Sequence, residues 1–448
     1  MKTKSSVLGA LFRRLLLIGG VALLGLYLVG VTAGYVWLHH LRHNSDVTFL
    51  NVAFFRVAAV RRGMAVGQFA AARKEADATN VQTAFLNYST AVRNDPDNIA
   101  GRLDAADFLM RVGASNLALG MLEEGLSRMP DNRLLVTRTF DLLTDTGNDA
   151  RALELLHGSL APHFRGPNGV LLQTYEVLAT LNAAGPEAAK KLLEQYPDLA
   201  KAPSAMRVVA RVLWESAERL KAISLLTHYL EIEPGTYASY VQLADWQQSG
   251  GLALEAVQTA QRAARQFPAE PAPRVLLIEM LDAATDTRAT AQAAESYLRD
   301  FASQPGAYLL LAESAGRRGR ADLALALYAV GASHQSDLFL LGLYYSDALA
   351  RNARYGECRD LLAQLEAQAP EKNNALMVQL RQRQVIMAAA LHDPDNVREY
   401  ARRLAAALRS NPEALEAARR NFQRMGIAGA VTELSSRTPA APAAGQHP

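Results

Sequence analysis

Residues 99–130 read IAGRLDAADFLMRVGASNLALGMLEEGLSRMP, and this stretch decides the fold. Small and large apolar residues follow a fixed order: Ala105-Ala106, Leu109, Gly113, Ala118, Leu122, Gly125-Leu126 and Pro130. The order returns directly downstream as Phe140, Leu143, Gly147, Ala152, Leu156 and Leu160. It returns again as Tyr240, Leu243-Ala244, Gly251, Ala256, Ala260, Ala263 and Pro268, and after Pro305 as Leu311-Ala312, Gly319, Ala324, Tyr328 and Gly331. A further copy before Pro234 runs Ala210, Leu213, Ala217, Ala222, Leu226 and Leu230. Prolines set the interval. The step from Pro96 to Pro130 equals that from Pro234 to Pro268, while Pro197 to Pro234 and Pro268 to Pro305 match each other and are slightly longer. A fixed period of this length is the signature of stacked supersecondary repeats.

The copies resemble the tetratricopeptide repeat over most of residues 65 to 410. That family's unit is a helix–turn–helix of about 34 residues in which small residues let the two helices approach, a glycine often marks the turn, and a proline ends the second helix. The resemblance implies an all-α fold, a right-handed α-solenoid of helix hairpins. Asp95-Pro96-Asp97-Asn98 and Pro130-Asp131-Asn132 match the family's repeat boundary. Asp393-Pro394-Asp395-Asn396 has the same letters but is read as separating the two helices of a degenerate last unit.

Elementary physics supports the same reading. A hairpin of this size has too little interior to stand alone and must bury its apolar face on the next one. Gly113 and Gly147 can take the left-handed conformation that ends one helix before the next begins. Ala118 and Ala152 keep the helix axes close, and the prolines cannot continue a helix. The solenoid is therefore predicted over 65–433, with about nine or ten hairpins between 65 and 425. Region 162–203 holds five prolines and is expected to be irregular, and 337–370 and 375–410 lose much of the motif. After Leu434 the chain reads SSRTPAAPAAGQHP, expected to be a disordered tail over 434–448.

At the other end, Leu15 to Leu38 is LLLIGGVALLGLYLVGVTAGYVWL, twenty-four residues without a charge. As a helix it covers roughly 36 Å, enough to cross the ~30 Å hydrocarbon core of a bilayer. A cleaved signal peptide has a shorter apolar region of about 7–15 residues, whereas this one ends in the interface-seeking rings of Tyr35 and Trp37. A single uncleaved transmembrane helix over 15–38 is predicted. Lys2, Lys4, Arg13 and Arg14 precede it, against Arg42 and Arg56 after it, which places residues 1–14 in the cytoplasm and the rest outside. Gly30 and Gly34 form a G-x-x-x-G spacing through which a second transmembrane helix, and so a homodimer, could pack. The juxtamembrane region 39–64 contains an apolar stretch, DVTFLNVAFFRVAAVRRGM, over 46–64. It is read as a helix capping the solenoid, with an amphipathic helix at the lipid surface as the alternative.

Catalytic signatures are missing. No phosphate-binding glycine loop, zinc-protease helix, C-x-x-C or nucleophile elbow occurs. The formal charge of +3 over 448 residues supports no nucleic-acid partner. The one cysteine, Cys358, excludes disulfides and multi-cysteine metal sites and reads as a small packing residue. His39, His40 and His43 lack carboxylate or thiolate companions and read as interfacial polar groups. The DPDN endings lack the spacing of a calcium loop and read as helix caps. No cofactor or metal is therefore expected.

What remains is surface recognition. The resemblance implies a concave groove for proteins or peptides, lined by the first helix of each repeat. By repeat register the groove exposes Asp107, Arg111, Asp141, Asp145, Arg207, Arg211, Trp214, Asp245, Gln248, Glu313 and Arg317. Arg207 and Arg211, four apart on one helix face, resemble part of a basic clamp for a C-terminal carboxylate, but its asparagines and lysines are missing. The expected role is a non-catalytic, membrane-tethered bacterial scaffold facing away from the cytoplasm, as membrane-anchored members of the family serve secretion, envelope assembly or polysaccharide export. Two alternatives stand beside it: a cytoplasm-facing adaptor or regulator of membrane enzymes, and an enzyme with a dispersed groove site.

Overall fold

The computed structural model describes residues 4–41, 46–78, 80–233, 235–334, 338–368 and 374–435. Among these the regular elements are helical, with 24 α-helices and no strand. The twenty-two helices from Val57 to Ser435 pair in chain order as eleven hairpins. The number exceeds nine or ten because the array reaches beyond 65–425 at both ends. The hairpins form two compact units, divided after Glu233.

Three hairpins begin at an asparagine cap, Asn98, Asn132 and Asn411. Asn98 and Asn132 accept backbone N–H bonds from Gly101 at 2.9 Å and Leu135 at 3.1 Å, satisfying donors that a helix N-terminus leaves open. Asp393 caps in the same way and does separate the two helices of one hairpin, Asn374–Ala390 and Pro394–Ala407. Between the two helices one residue turns left-handed: Gly113 at φ +77°, Gly147 at +68°, Gly251 at +79° and Gly319 at +71°. Ala217, Thr285 and Ala353 stand at the same turn with φ of 63°, 61° and 57°, so this conformation recurs once per repeat from 217 to 353 even where glycine is absent. Behind the turn lies a buried small residue: Ala118, Ala152, Ala222, Ala256 and Ala324. Cys358 takes that place in its own repeat; burial pushes its thiol up to about 12, which removes the reactive thiolate at neutral pH.

Hairpins are joined by shared interior. In the first unit one cluster runs from Ala65 to Ala179, with Leu135, Leu143, Leu156 and Leu172 fully buried in it. Gly101 lets the ring of Phe69 lie against the helix backbone; a Cβ there would stand 2.2 Å from the ring. Arg102 is the exception in this interior. Its side chain is wholly buried, donates to the carbonyls of Met121 at 2.6 Å and Pro96 at 3.0 Å, and so ties the DPDN turn to the hairpin it precedes. It fits because Gly125 is opposite: a Cβ there would be 2.4 Å from Arg102 Cδ.

The proline-rich region is irregular, as expected. Helix Asp149–His157 is short, 3-10 turns occupy Ala161–Arg165 and Leu199–Lys201, and helix Pro186–Gln195 is also short. The buried carboxylate of Glu176 holds this unit together, accepting from Tyr196 Oη at 2.8 Å and lying 2.7 Å from His157 Nε2.

At the N-terminus, helix Lys4–Val36 continues into a π-turn at Trp37–Leu41. Its Leu17–His40 stretch is almost wholly unburied and is long and apolar enough to cross a membrane, a test that a signal sequence also passes. The segment 46–64 divides: Phe49–Ala53 lies against this helix, while helix Val57–Asp77 runs across the 64/65 boundary and pairs with Val81–Asn94 as the first hairpin. Helix Ala428–Ser435 is the last one described, and its buried Leu434 corrects the tail expected over 434–448, whose first two residues are helical because Leu434 packs into the last core cluster; residues 436–448, and Lys2, Arg42 and His43, lie outside the described residues.

The packing of Arg102 has a direct test. Gly125→Ala is expected to cost roughly 1–3 kcal/mol, the scale of overpacking. Gly120→Ala in the same helix meets nothing within 4 Å and should be neutral or stabilise by about 0.5–1 kcal/mol, as alanine outranks glycine in a helix. Thermal unfolding of the two variants checks the difference in sign.

Candidate functional site

In the second unit three successive first helices, Tyr237–Ser249, Pro271–Ala283 and Pro305–Arg318, enclose a cleft of about 580 Å³. Its floor is apolar, with Val241, Val275 and Leu276, and the exposed Leu310 also lines it. Its acidic groups are Asp245, Glu279 and Glu313, evenly spaced one repeat apart and therefore stacked at one repeat position. Asp347, one further repeat on, continues the series on helix Leu338–Arg351.

The four carboxylates are not equivalent. Glu279 is largely covered and well satisfied: Ser314 Oγ donates at 2.7 Å and Arg317 Nη2 at 3.0 Å, and Arg318 Nη2 stands 3.8 Å away. Asp347 is gripped by Arg383 through two bonds of 2.8 and 2.7 Å, the bidentate geometry that makes such pairs strong. Among the described residues, neither Asp245 nor Glu313 is paired with a cation. One side of the Asp245 carboxyl stays open to solvent, yet the cleft walls desolvate it and Glu279 repels its charge. Both effects hold its pKa above the usual carboxylate range, against the opposing pull of Arg318 and Arg317. Tyr237 closes the cleft, its hydroxyl donating to the Ala272 carbonyl at 3.0 Å and pushed up to about 12, chiefly by burial and then by Glu279. The cleft thus offers three carboxylates and two guanidiniums, with two of the carboxylates free.

Of the residues expected in a groove, Asp245, Glu313 and Arg317 are brought together here. Gln248 is not in this cleft; its Oε1 is buried without a hydrogen-bond partner among the described residues. In the first unit the first-helix residues are mostly engaged with one another. Asp107 pairs with Arg138 of the next hairpin, and Asp141 accepts the Tyr175 hydroxyl at 2.6 Å. Arg111 and Asp145 are exposed near helix ends. Arg207 is exposed, but Arg211 is bound to Glu215 at 2.8 Å and to Asn182 at 3.1 Å. Trp214 lies beneath the guanidinium of Arg219, 5.2 Å from the ring. The two arginines therefore do not form a free basic clamp. Glu279, Arg318, Tyr237 and Asp347 were not expected. A step of one repeat length from Asp245 finds both acidic members, but the repeat at 271–300 turns on Thr285 rather than glycine and is easily passed over.

No family model matches the chain, and no curated protein matches it. Among solved structures it is similar to yeast Tom70, with 12% identity over 93% of this chain and 97% of that one, at a TM-score of 0.41. It is also similar to a tetratricopeptide repeat protein of Parabacteroides merdae (15% identity, 55% of this chain and 97% of that one, TM-score 0.36). A third likeness is to the C-terminal part of a repeat protein of Cytophaga hutchinsonii (14%, 62% and 98%, TM-score 0.34). The hairpins themselves define the class: the fold is made of tetratricopeptide-like repeats, shown by the regular recurrence of left-handed turns and buried small residues in paired helices.

A carboxyl whose folded pKa is raised favours the folded state only while it holds its proton. As pH rises through the raised value, the folded protein must carry a charge that the unfolded chain solvates better. Asp245→Asn is therefore expected to raise the unfolding free energy at pH 7, by no more than about 0.5 kcal/mol because solvent screens the open side, and with it the thermal midpoint. The gain should vanish toward pH ~3.9, where the unfolded carboxyl also protonates. Thermal melts of both proteins across that range measure it.

Proposed function

We propose that this chain is a non-catalytic, membrane-anchored scaffold that docks protein partners on the first-helix face of its second unit. The observation that carries this reading is the cleft: an apolar floor with two carboxylates, Asp245 and Glu313, left unpaired at repeat spacing. An extended segment carrying a lysine or arginine next to an apolar side chain complements it. The cation would relieve the repulsion between Asp245 and Glu279, and the apolar group would cover Leu310, which is otherwise exposed. A non-catalytic role is supported by the engagement of Glu279 with Ser314, Arg317 and Arg318, and by the inert burial of Cys358.

The anchor supports the same role. Tethering confines the face to a layer beside the bilayer, where partners are met at raised effective concentration and modest contacts suffice. Four basic residues before the apolar helix against two after it favour a solenoid at the outer face of a bacterial cytoplasmic membrane, in secretion, envelope assembly or polysaccharide export.

Two measurements test this. A photo-crosslinking residue at Val241 or Leu310 in intact membranes should trap a discrete protein, and Glu313→Lys with Asp245→Lys should reduce the yield about tenfold, the loss of one good charge pair. Undiminished trapping by the double variant would sink the cleft as the docking face. For orientation, alkaline phosphatase fused after Leu434 should be active; a fluorescent signal from a cytoplasm-only reporter at the same place would reverse the topology.

A further inference from the structure

The segment that follows the apolar helix turns back along it. Thr48 starts the short helix Phe49–Ala53, whose ring at Phe49 meets Tyr35 edge-on at 5.7 Å. Val52 Cγ1 stands 3.7 Å from the place of a Cβ on Gly34, the Tyr27 hydroxyl donates to the Ala53 carbonyl, and the Phe55 ring lies 6.0 Å from that of Tyr27. As the segment advances from 49 to 55 its partners step backwards from 35 to 27. It therefore runs antiparallel to the helix for about two turns, roughly 12 Å at ~1.5 Å per residue. One consequence is that Gly34, expected to receive a second transmembrane helix, is met by this chain's own Val52, while Gly30 stays open.

The outer side of this turn is apolar and bare. Leu50, Phe54, Phe55 and Val57 are all more than half exposed, as are Leu23, Leu24 and Leu26 of the helix, whose Tyr27 ring lies beside that of Phe55. No water-soluble protein gains from presenting two adjacent phenylalanines in this way. The backbone is also prepared for hydrocarbon, where every polar group needs an internal partner. The N–H groups of Asn51, Val52, Phe54, Phe55, Arg56 and Val57 all donate to main-chain carbonyls. The hydroxyl of Tyr27, in mid-span, finds its acceptor in the Ala53 carbonyl. Phe55 is held at φ 48°, a conformation that aromatic residues rarely take and that persists only where surroundings impose it. Arg56 follows with its guanidinium 5.9 Å from the Phe54 ring, a contact through which the aromatic face stabilises the charge.

We propose that residues 49–57 are a re-entrant membrane wedge, embedded among acyl chains beside the C-terminal half of the anchor, with Phe49 shallow and Phe55 deep. The lipid surface is the occupant because the bare face is continuous with the apolar helix itself. The proposal rests on the reading of Leu17–His40 as a membrane span, and the test separates the two. The full chain carrying Cys358→Ala is reconstituted in phosphatidylcholine–phosphatidylglycerol vesicles, with a nitroxide label at Phe54→Cys, Phe55→Cys, Leu24→Cys or Leu220→Cys. Leu220, 72% exposed on the solenoid, is the water-facing control. Collision with a polar nickel chelate should be roughly tenfold lower at 54, 55 and 24 than at 220, since polar solutes partition out of hydrocarbon. Labels at 54 and 55 as accessible to nickel as 220, with 24 still protected, would overturn the wedge and leave the span intact. A label at 24 as accessible as 220 would overturn both.

Discussion

The interior of this molecule is shared between hairpins, and no hairpin could keep its part of it alone. Helix Ile99–Arg111 meets the ring of Phe69 from the preceding hairpin at Gly101, while Leu135 and Leu143 of the following one are sealed in the same cluster. Such stacking needs the two helices of each hairpin to leave a turn at a reproducible angle and at a reproducible separation. The left-handed residue fixes the first and the small buried residue behind it fixes the second. The constraint is strong enough to hold Thr285, a β-branched residue, at φ 61°, where the side chain alone disfavours it.

The cleft follows from that constraint. When successive hairpins have one constant length, identical positions stack, and like charges placed there stack as well. Asp245, Glu279 and Glu313 are brought into one cleft by the same register that aligns the turns. Stacked carboxylates raise one another's pKa unless cations intervene. The chain supplies arginines to Glu279 and Asp347 and leaves Asp245 and Glu313 without them. In the first unit the corresponding positions are engaged internally, Asp141 hydrogen-bonded by a tyrosine hydroxyl and Asp107 paired with Arg138. The difference between a finished surface and an open one is thus a matter of which repeat position carries the compensating donor.

The N-terminal region is built on a different pattern, an apolar helix with a short segment folded back along it. The proposed wedge rests on a turn whose N–H groups from Asn51 to Val57 mostly donate to main-chain carbonyls, whose outer face is aromatic, and whose Ala53 carbonyl accepts from a mid-helix tyrosine. Helix Val57–Asp77 pairs with Val81–Asn94, so the paired helices start at Val57.

Much of the fold was legible from residues alone, because it is written in local periodicity. The spacing of Gly113, Ala118 and Leu122 and of their copies announces paired helices, and the uncharged run from Leu15 to Leu38 announces a span-length helix. Asn98 and Asn132 could be assigned as caps because a cap acts within its own first turn. Left-handed turns at Ala217, Thr285 and Ala353 were hidden, since these residues have no preference for that conformation and the packing of neighbours imposes it. The burial of Arg102 against Gly125, the neutralisation of Arg211, and the split between paired and unpaired carboxylates were equally hidden. The side chains that meet around Glu279 and Asp347 come from successive repeats, and which of them meet is decided by helix separation and side-chain reach. A one-dimensional pattern records the first kind of information and cannot hold the second.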